Sequence, residues 1–273
     1  MFMKPDVGIE STRVGIIGCG HLGRAIAFRL LEAGLPRASL ALSHAGSSQT
    51  HAALVDEGFE DLVLDSRELA GRAQLVLYLV RPQDRAVIAG LEFGPDTLVV
   101  SFLAGVPVNT LAVHPSRTRR VRMMTSTPDT IRAADAIAAV HPSDDERVIG
   151  MCRMLGARVF RLSSESDFSA FTALGPCLPV ALTVCEGMGR EVDASQIAEL
   201  ASDLGLEGWD EVVQWARARQ PLGLTRAQRD TYIAQASTPG GVTEAVVSAL
   251  RAGMPLTDSL LCGVVRSDEM AES

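Results

Sequence analysis

The apolar positions fall into two regimes along the chain. Up to about residue 160, short apolar runs alternate with amphipathic stretches. Val14-Gly15-Ile16-Ile17 reads as a buried strand, and His21 to Ala33 reads as a helix with Leu22, Ile26, Leu30 and Ala33 on one face. Gly34 and Pro36 end that helix. A second strand is expected at Ser39–Leu42, then a helix capped by Ser47 or Ser48 and running to about Glu57. A short strand is expected at Leu62–Leu64 and a small helix from Ser66. Gln74 to Val80 is nearly all apolar, as a strand buried on both faces would be. Leu98–Phe102, Val121–Met124, Ala136–Val140 and Arg158–Leu162 read as further strands, with a helix over Asp144–Leu155.

After Ser163 the pattern becomes helical. Helices are expected at Leu178–Arg190, Ser195–Leu204, Trp209–Arg219, Arg226–Gln235 and Val242–Ala252. The fold class is therefore α/β. Residues 1–163 form a Rossmann-type, doubly wound, mostly parallel sheet domain, and residues 164–273 form a smaller all-helical domain.

Composition narrows the chemistry. A chain of 273 residues with 47% hydrophobic and 21% charged residues is globular in composition. No apolar run reaches the length that spans a bilayer, and Met1 to Glu10 lacks the apolar centre of a signal peptide, so a cytoplasmic protein without a membrane partner is expected. A net charge of −8 argues against nucleic acid as a partner. All but one of the 25 basic residues are arginine, the exception being Lys4. That disfavours a lysine Schiff base, a lysine general base and a phosphate-loop lysine. Cys19, Cys152, Cys177, Cys185 and Cys262 show no CxxC spacing and are expected as reduced thiols in or near the core. His21, His44, His51, His114 and His141 form neither HxxxH nor HExxH, so no metal site is expected.

Gly18-Cys19-Gly20-His21-Leu22-Gly23 fits GxGxxG between a strand and a helix, the context in which that pattern binds a dinucleotide. Gly18 permits the tight turn, Gly20 lets backbone approach the pyrophosphate, and Gly23 lets helix pack on strand. The next strand would carry an acid in an NAD site. Here it ends in Ser43-His44-Ala45-Gly46-Ser47-Ser48, with no acid before Asp56 and no arginine before Arg67. Ser43, His44 and Ser47 are candidate receivers of a 2′-phosphate, so NADP is preferred over NAD.

Four separated segments carry a family resemblance: Gly18 to Gly23, Val80-Arg81-Pro82-Gln83, Val99 to Gly105 with Ala104, and Ser237-Thr238-Pro239-Gly240-Gly241-Val242-Thr243. In this order they resemble the pyrroline-5-carboxylate reductases, over nearly the whole chain. The resemblance implies hydride transfer from NAD(P)H to the C=N carbon of a cyclic imino acid. It also implies a homodimer built through the helical domain, which can assemble further. It further implies that Val80, Arg81, Pro82 and Ala104 flank the cofactor, and that Gly240, Gly241 and Val242 hold the substrate carboxylate through backbone N–H groups, with Thr238 beside them. Thr243 would then act at the imine nitrogen. Independently of the family, a glycine turn opening a helix makes an anion nest.

The chain departs from the family pattern in three places, one of them Trp209 to Thr231, which lacks the small-residue pattern expected before the substrate loop. Met124-Thr125-Ser126-Thr127-Pro128 replaces Met-Pro-Asn-Thr-Pro, and Ala173-Leu174-Gly175-Pro176-Cys177 replaces Gly-Ser-Gly-Pro-Ala. Leu174 would make the pocket more apolar. The arginines Arg217, Arg219, Arg226 and Arg229 read as a solvated face or as a site for a second carboxylate. Two alternatives stay open beside imine reduction: an NADP-dependent oxidoreductase on another small substrate, and a dinucleotide-binding regulatory protein without catalysis.

Overall fold

The computed structural model describes residues 9–113, 118–142 and 145–272. The tail residue Lys4, His114 and the expected helix start at Asp144 lie outside them. The chain divides into two compact units, Met1–Arg161 and Leu162–Ser273, against an expected division after Ser163.

The first unit is built on seven strands: β1 (Val14–Ile17), β2 (Leu40–Ser43), β3 (Leu75–Tyr78), β4 (Thr97–Ser101), β5 (Thr118–Thr125), β6 (Ala136–His141) and β7 (Ala157–Arg161). They lie in the order β2-β1-β3-β4-β5-β6-β7. All neighbours are parallel except β5 and β6. That exception has a local cause. The link from Thr125 to Ala136 holds only the short helix α4 (Pro128–Arg132), and a parallel crossover needs about a dozen residues or more.

Side chains alternate between the two faces of the sheet. Ile16, Leu42, Leu77, Val100 and Met123 join one core with α1 (His21–Glu32), α2 (Ser48–Asp56), α4 and α5 (Glu146–Met154). Ile17, Val76, Tyr78 and Val99 join a second core with Leu69 of α3 (Ser66–Arg72) and Ile88. Both faces are thus covered, which is why these strands are apolar throughout. The second face is closed partly by a 3-10 stretch over Pro82–Gly90, whose weak periodicity left no helix to predict.

One expected strand is absent. Glu60–Leu62 is a 3-10 turn, and only Val63 touches the sheet, as an isolated bridge to Leu42. The Leu64 amide completes that bridge by donating to the Leu42 carbonyl at 2.8 Å.

The second unit contains α6 (Asp167–Leu174), α7 (Leu178–Gly187), α8 (Ala194–Asp203), α9 (Trp209–Arg219), α10 (Arg226–Ala236), α11 (Val242–Arg251) and α12 (Leu256–Glu272). The sequence pattern did not delimit α6 and α12. Gly175 and Pro176 break α6 from α7, and Leu178 to Cys185 of α7 are all buried. The stretch Asp167–Gly187 is, by length and composition, apolar enough to cross a membrane, which corrects the expectation that no such run exists. Its most apolar window is 89% buried inside the protein, so that apolarity serves the core. Gly263 lets α12 lie close over α6 and α11, since a Cβ there would sit 2.6 Å from Val246 and 3.1 Å from Ala173.

Candidate functional site

The chain leaves β1 toward β2 on one side and returns to β3 on the other. Open α/β sheets bind ligands at such a reversal, outside the carboxyl ends of the strands. Parallel register brings four ends together there: Ile17 pairs with Ser43 and with Tyr78, and Tyr78 pairs with Ser101. The Gly18–Gly23 turn, His44, Val80 and Ala104 follow these ends.

The three glycines of the turn have different reasons to be glycine. Gly18 has φ +105°, and a Cβ there would lie 2.5 Å from the Leu79 carbonyl carbon. A Cβ on Gly23 would lie 2.4 Å from the Gly18 oxygen. Packing demands both. A Cβ on Gly20 would meet nothing within 4 Å. Gly20 caps α1 without any side-chain bond, and the first turn of α1 carries no acid. The positive helix end therefore faces open space, which fits a pyrophosphate. His21 is exposed beside it, and Leu22 packs back on the core.

The turn is fastened from behind. The Gly18 amide donates to the Ser43 carbonyl at 2.9 Å. Arg24 donates to Glu57 at 3.0 Å, and Arg132 donates to the same carboxylate at 2.7 Å. Burial alone would raise Glu57, but the bonds and charges of Arg132 and Arg24 outweigh it and hold the carboxyl below its ordinary range. This arginine–carboxylate–arginine link between α1, the end of α2 and α4 has no sequence signature. Burial pushes the Cys19 thiol up to about 12, so it is no nucleophile at neutral pH.

At the end of β2 the candidates separate. Ser43 is buried and its hydroxyl lies 2.6 Å from that of Ser66. It supports the turn from within the fold and is not exposed as an expected receiver of a 2′-phosphate would be. Ser47 caps α2, its hydroxyl accepting from the Thr50 amide at 3.4 Å. His44 is partly open. Its Nδ1 accepts from the Gly46 amide at 3.1 Å, which leaves Nε2–H as a donor in the neutral ring. Burial, and then the charge of His51, lower the His44 pKa. The two rings stand 5.6 Å apart. Beyond β3, Val80 is partly buried and Arg81 is exposed with its Nε 3.5 Å from Asp84. Pro82 opens the 3-10 stretch, and Ala104 sits in the turn after β4.

In the second unit, the segment Thr238–Thr243 is a tight turn entering α11. Gly240, at φ +70°, is held on both sides: its amide donates to Glu244 at 2.7 Å, and its carbonyl accepts from Arg266 at 2.7 Å. The Gly241 amide donates to the Thr238 carbonyl at 2.9 Å. The expected nest at Gly240 and Gly241 is therefore spent inside the loop. The open amides are the first three of α11, those of Val242, Thr243 and Glu244, and no side chain caps them. The Thr243 hydroxyl lies 3.2 Å from Cys177 Sγ. Sequence reasoning missed Glu244, Arg266 and Cys177 as partners of this turn. Only Glu244 carried a signal, as an acid in a first helical turn.

The departures from the family pattern are absorbed structurally. Ser126 is buried, 2.7 Å from the Thr130 hydroxyl, and accepts from the Ile137 amide at 3.1 Å. Thr125 donates to the Ile137 carbonyl at 3.0 Å. Leu174 is fully buried and its carbonyl accepts from the Trp209 indole at 3.2 Å, so it builds the core and not an apolar pocket wall. Among the arginines, Arg217 and Arg229 donate to the carbonyls of Val192 and Leu224, and Arg226 pairs with Asp230.

Residues 13–105 match the model of a family described as NADP oxidoreductase, coenzyme F420-dependent. The pyrroline-5-carboxylate reductase of Arabidopsis thaliana is 22% identical over 272 residues, covering 97% of each chain. A pyrroline-5-carboxylate reductase structure from Coxiella burnetii superposes with a TM-score of 0.61 at 20% identity, over 96% of this chain and all of that one. The Plasmodium falciparum pyrroline carboxylate reductase with NADP bound gives 0.58 at 16% identity, over 97% of this chain and all of that one. An oxidoreductase family model thus covers the strands around the glycine turn, and the chain is similar along its length to pyrroline-5-carboxylate reductases.

Proposed function

We propose that the chain reduces the C=N bond of a cyclic imino acid, pyrroline-5-carboxylate or a related imine, with NADPH as the preferred reductant. The observation that carries this reading is the start of α11, where the first turn has three open amides and carries the hydroxyl of Thr243. Amides at a positive helix end suit a carboxylate. A neutral hydroxyl suits the iminium nitrogen, because its lone pair accepts the N–H without adding charge. The reduced nicotinamide, when bound, supplies the hydride. The chain has to bind, orient and exclude water, and a strong base is not required. The whole-length relative named above supports the substrate class.

His44 supports the preference for NADPH. It presents Nε2–H where an NAD site carries an acid. A homodimer through the helical unit belongs to the same reading. On α12, Leu261 and Val265 are exposed one turn apart, at 37% and 57%, as a helix-pairing face would be.

The test is NADPH oxidation by purified protein with pyrroline-5-carboxylate and piperideine carboxylates, for wild type and Thr243→Ala. Turnover by wild type is expected, lowered about 10- to 100-fold in the variant, the worth of a hydrogen bond to a charged group. NADPH affinity should stay unchanged. Tight NADPH binding with no turnover on any imine would sink the reading, and would favour another small substrate or a role without catalysis.

A further inference from the structure

Threonine and serine hydroxyls inside the helices of the second unit have a common habit. Thr172, Thr183, Thr231 and Ser259 each donate to the carbonyl four residues earlier, at 2.7 to 2.9 Å. This is the default for a helical hydroxyl with no other partner. Thr243 does not follow it. The carbonyl four residues before it is that of Pro239, and the hydroxyl instead reaches Cys177 Sγ at 3.2 Å. Cys177 is 3% exposed and stands at the start of α7, so the bond joins two helices that are far apart in sequence. The thiol is neutral at ordinary pH, since burial pushes it up to about 11.

We propose that Cys177 is a positioning residue for Thr243, taking the hydroxyl proton on its sulfur so that an oxygen lone pair is free to meet the substrate N–H. This rests on the reading of the site given above. A hydroxyl has one proton and two lone pairs. Where the proton goes decides what the oxygen can offer. The form of the substrate that accepts hydride is the iminium, whose N–H needs an acceptor. A neutral sulfur acceptor sets that orientation without placing a charge in the site. No bond is made or broken at Cys177.

The experiment compares Cys177→Ala and Cys177→Ser in the imine assay, with NADPH binding measured alongside. In Cys177→Ala the hydroxyl loses its sulfur acceptor and its proton is free to turn elsewhere, and kcat should fall about fivefold to tenfold, as the loss of one neutral hydrogen bond implies. NADPH affinity should not move. Serine supplies an acceptor of similar size, so Cys177→Ser should recover most of the lost turnover. A purely structural role would lower melting temperature without this kcat pattern. Wild-type turnover in the alanine variant, or a serine variant no better than alanine, would overturn the proposal.

A second measurement is independent of activity. A double-mutant cycle of Cys177→Ala and Thr243→Val, read by denaturant titration, should be non-additive, and additive losses would overturn the pairing. The S–H stretching band of Cys177, assigned by its loss in Cys177→Ser, should move little in Thr243→Val, because the sulfur accepts; a large upward shift would show the thiol donating to the hydroxyl and would overturn the orientation. If wild type reduces no imine while the cycle is non-additive, the functional reading fails and the contact stands.

Discussion

Gly18 and Gly20 stand two residues apart in one turn, yet they answer to different forces. At Gly18 the left-handed backbone and the Leu79 carbonyl leave no room for a side chain. Gly18→Ala should lower stability by about 2 kcal/mol or more, or fail to fold, as seen by thermal melting. Around Gly20 there is space. Gly20→Val should cost about 1 kcal/mol or less, since only cap preference is lost, while NADPH binding by fluorescence should vanish. Unchanged affinity in that folded variant would remove the turn as a phosphate site. His44 makes a third case. An acid there would accept from a ribose hydroxyl and repel a 2′-phosphate. His44→Asp should weaken NADPH and favour NADH, each by about tenfold. Equal affinities in variant and wild type would show that the ring has no part in the choice. The sequence made these three residues visible through motif and position, whereas Cys177 and Ser43 depended on neighbours that are distant along the chain.

Among the elements, α5 shows how one buried carboxylate fixes a helix start. Asp145 caps α5, accepts from the Arg147 amide at 2.9 Å and side chain at 2.9 and 3.0 Å, and receives Arg119 at 2.8 Å. Arg147 in turn donates to the carbonyls of Gln74 and Asp96, at the entries to β3 and β4. Burial would raise the Asp145 pKa, but Arg147 bonds and charge, with the charge of Arg119, outweigh it and lower it. The folded value thus lies below the unfolded one. That contribution to stability is complete above the unfolded carboxylate range, near pH 4, and is lost as pH falls through the folded value. Asp145→Asn should cost about 1–3 kcal/mol at pH 7, measured by denaturant titration. Its stability should also fall less steeply in acid than that of wild type. Equal acid slopes would place the pH dependence elsewhere. The start of α5 could be read from the sequence to within a residue or two, but the reach of Arg147 to two strand entries could not.

For the whole molecule, ligand binding and folding are linked. NADPH at a hundred times its Kd should stabilise the dinucleotide-binding unit by about 2.7 kcal/mol. Calorimetry should show the corresponding rise in melting temperature, and Gly20→Val should abolish it. A rise that persists in that variant would mean the nucleotide binds somewhere other than the α1 turn. The same linkage separates a catalytic protein from one that only binds, because stabilisation requires no turnover.

Local pattern determined the strand–helix alternation, the GxGxxG turn, most helix starts and the change to an all-helical second unit, because each depends on neighbours within a few residues. Period-two burial fixed which strand residues point to which face, and glycine and proline marked the ends. Tertiary structure decided the rest. It set the order of strands, and with it the reversal at β1 that gathers four strand ends. It replaced the expected Leu62–Leu64 strand with the end of a 3-10 turn and one bridge, Val63 to Leu42. It buried Leu174 and Ser43, spent the amides of Gly240 and Gly241 within their own loop, and left those of α11 open. It also placed Cys177 against Thr243, 66 residues away in sequence. Such pairings depend on where helices cross, and no local spacing records a crossing.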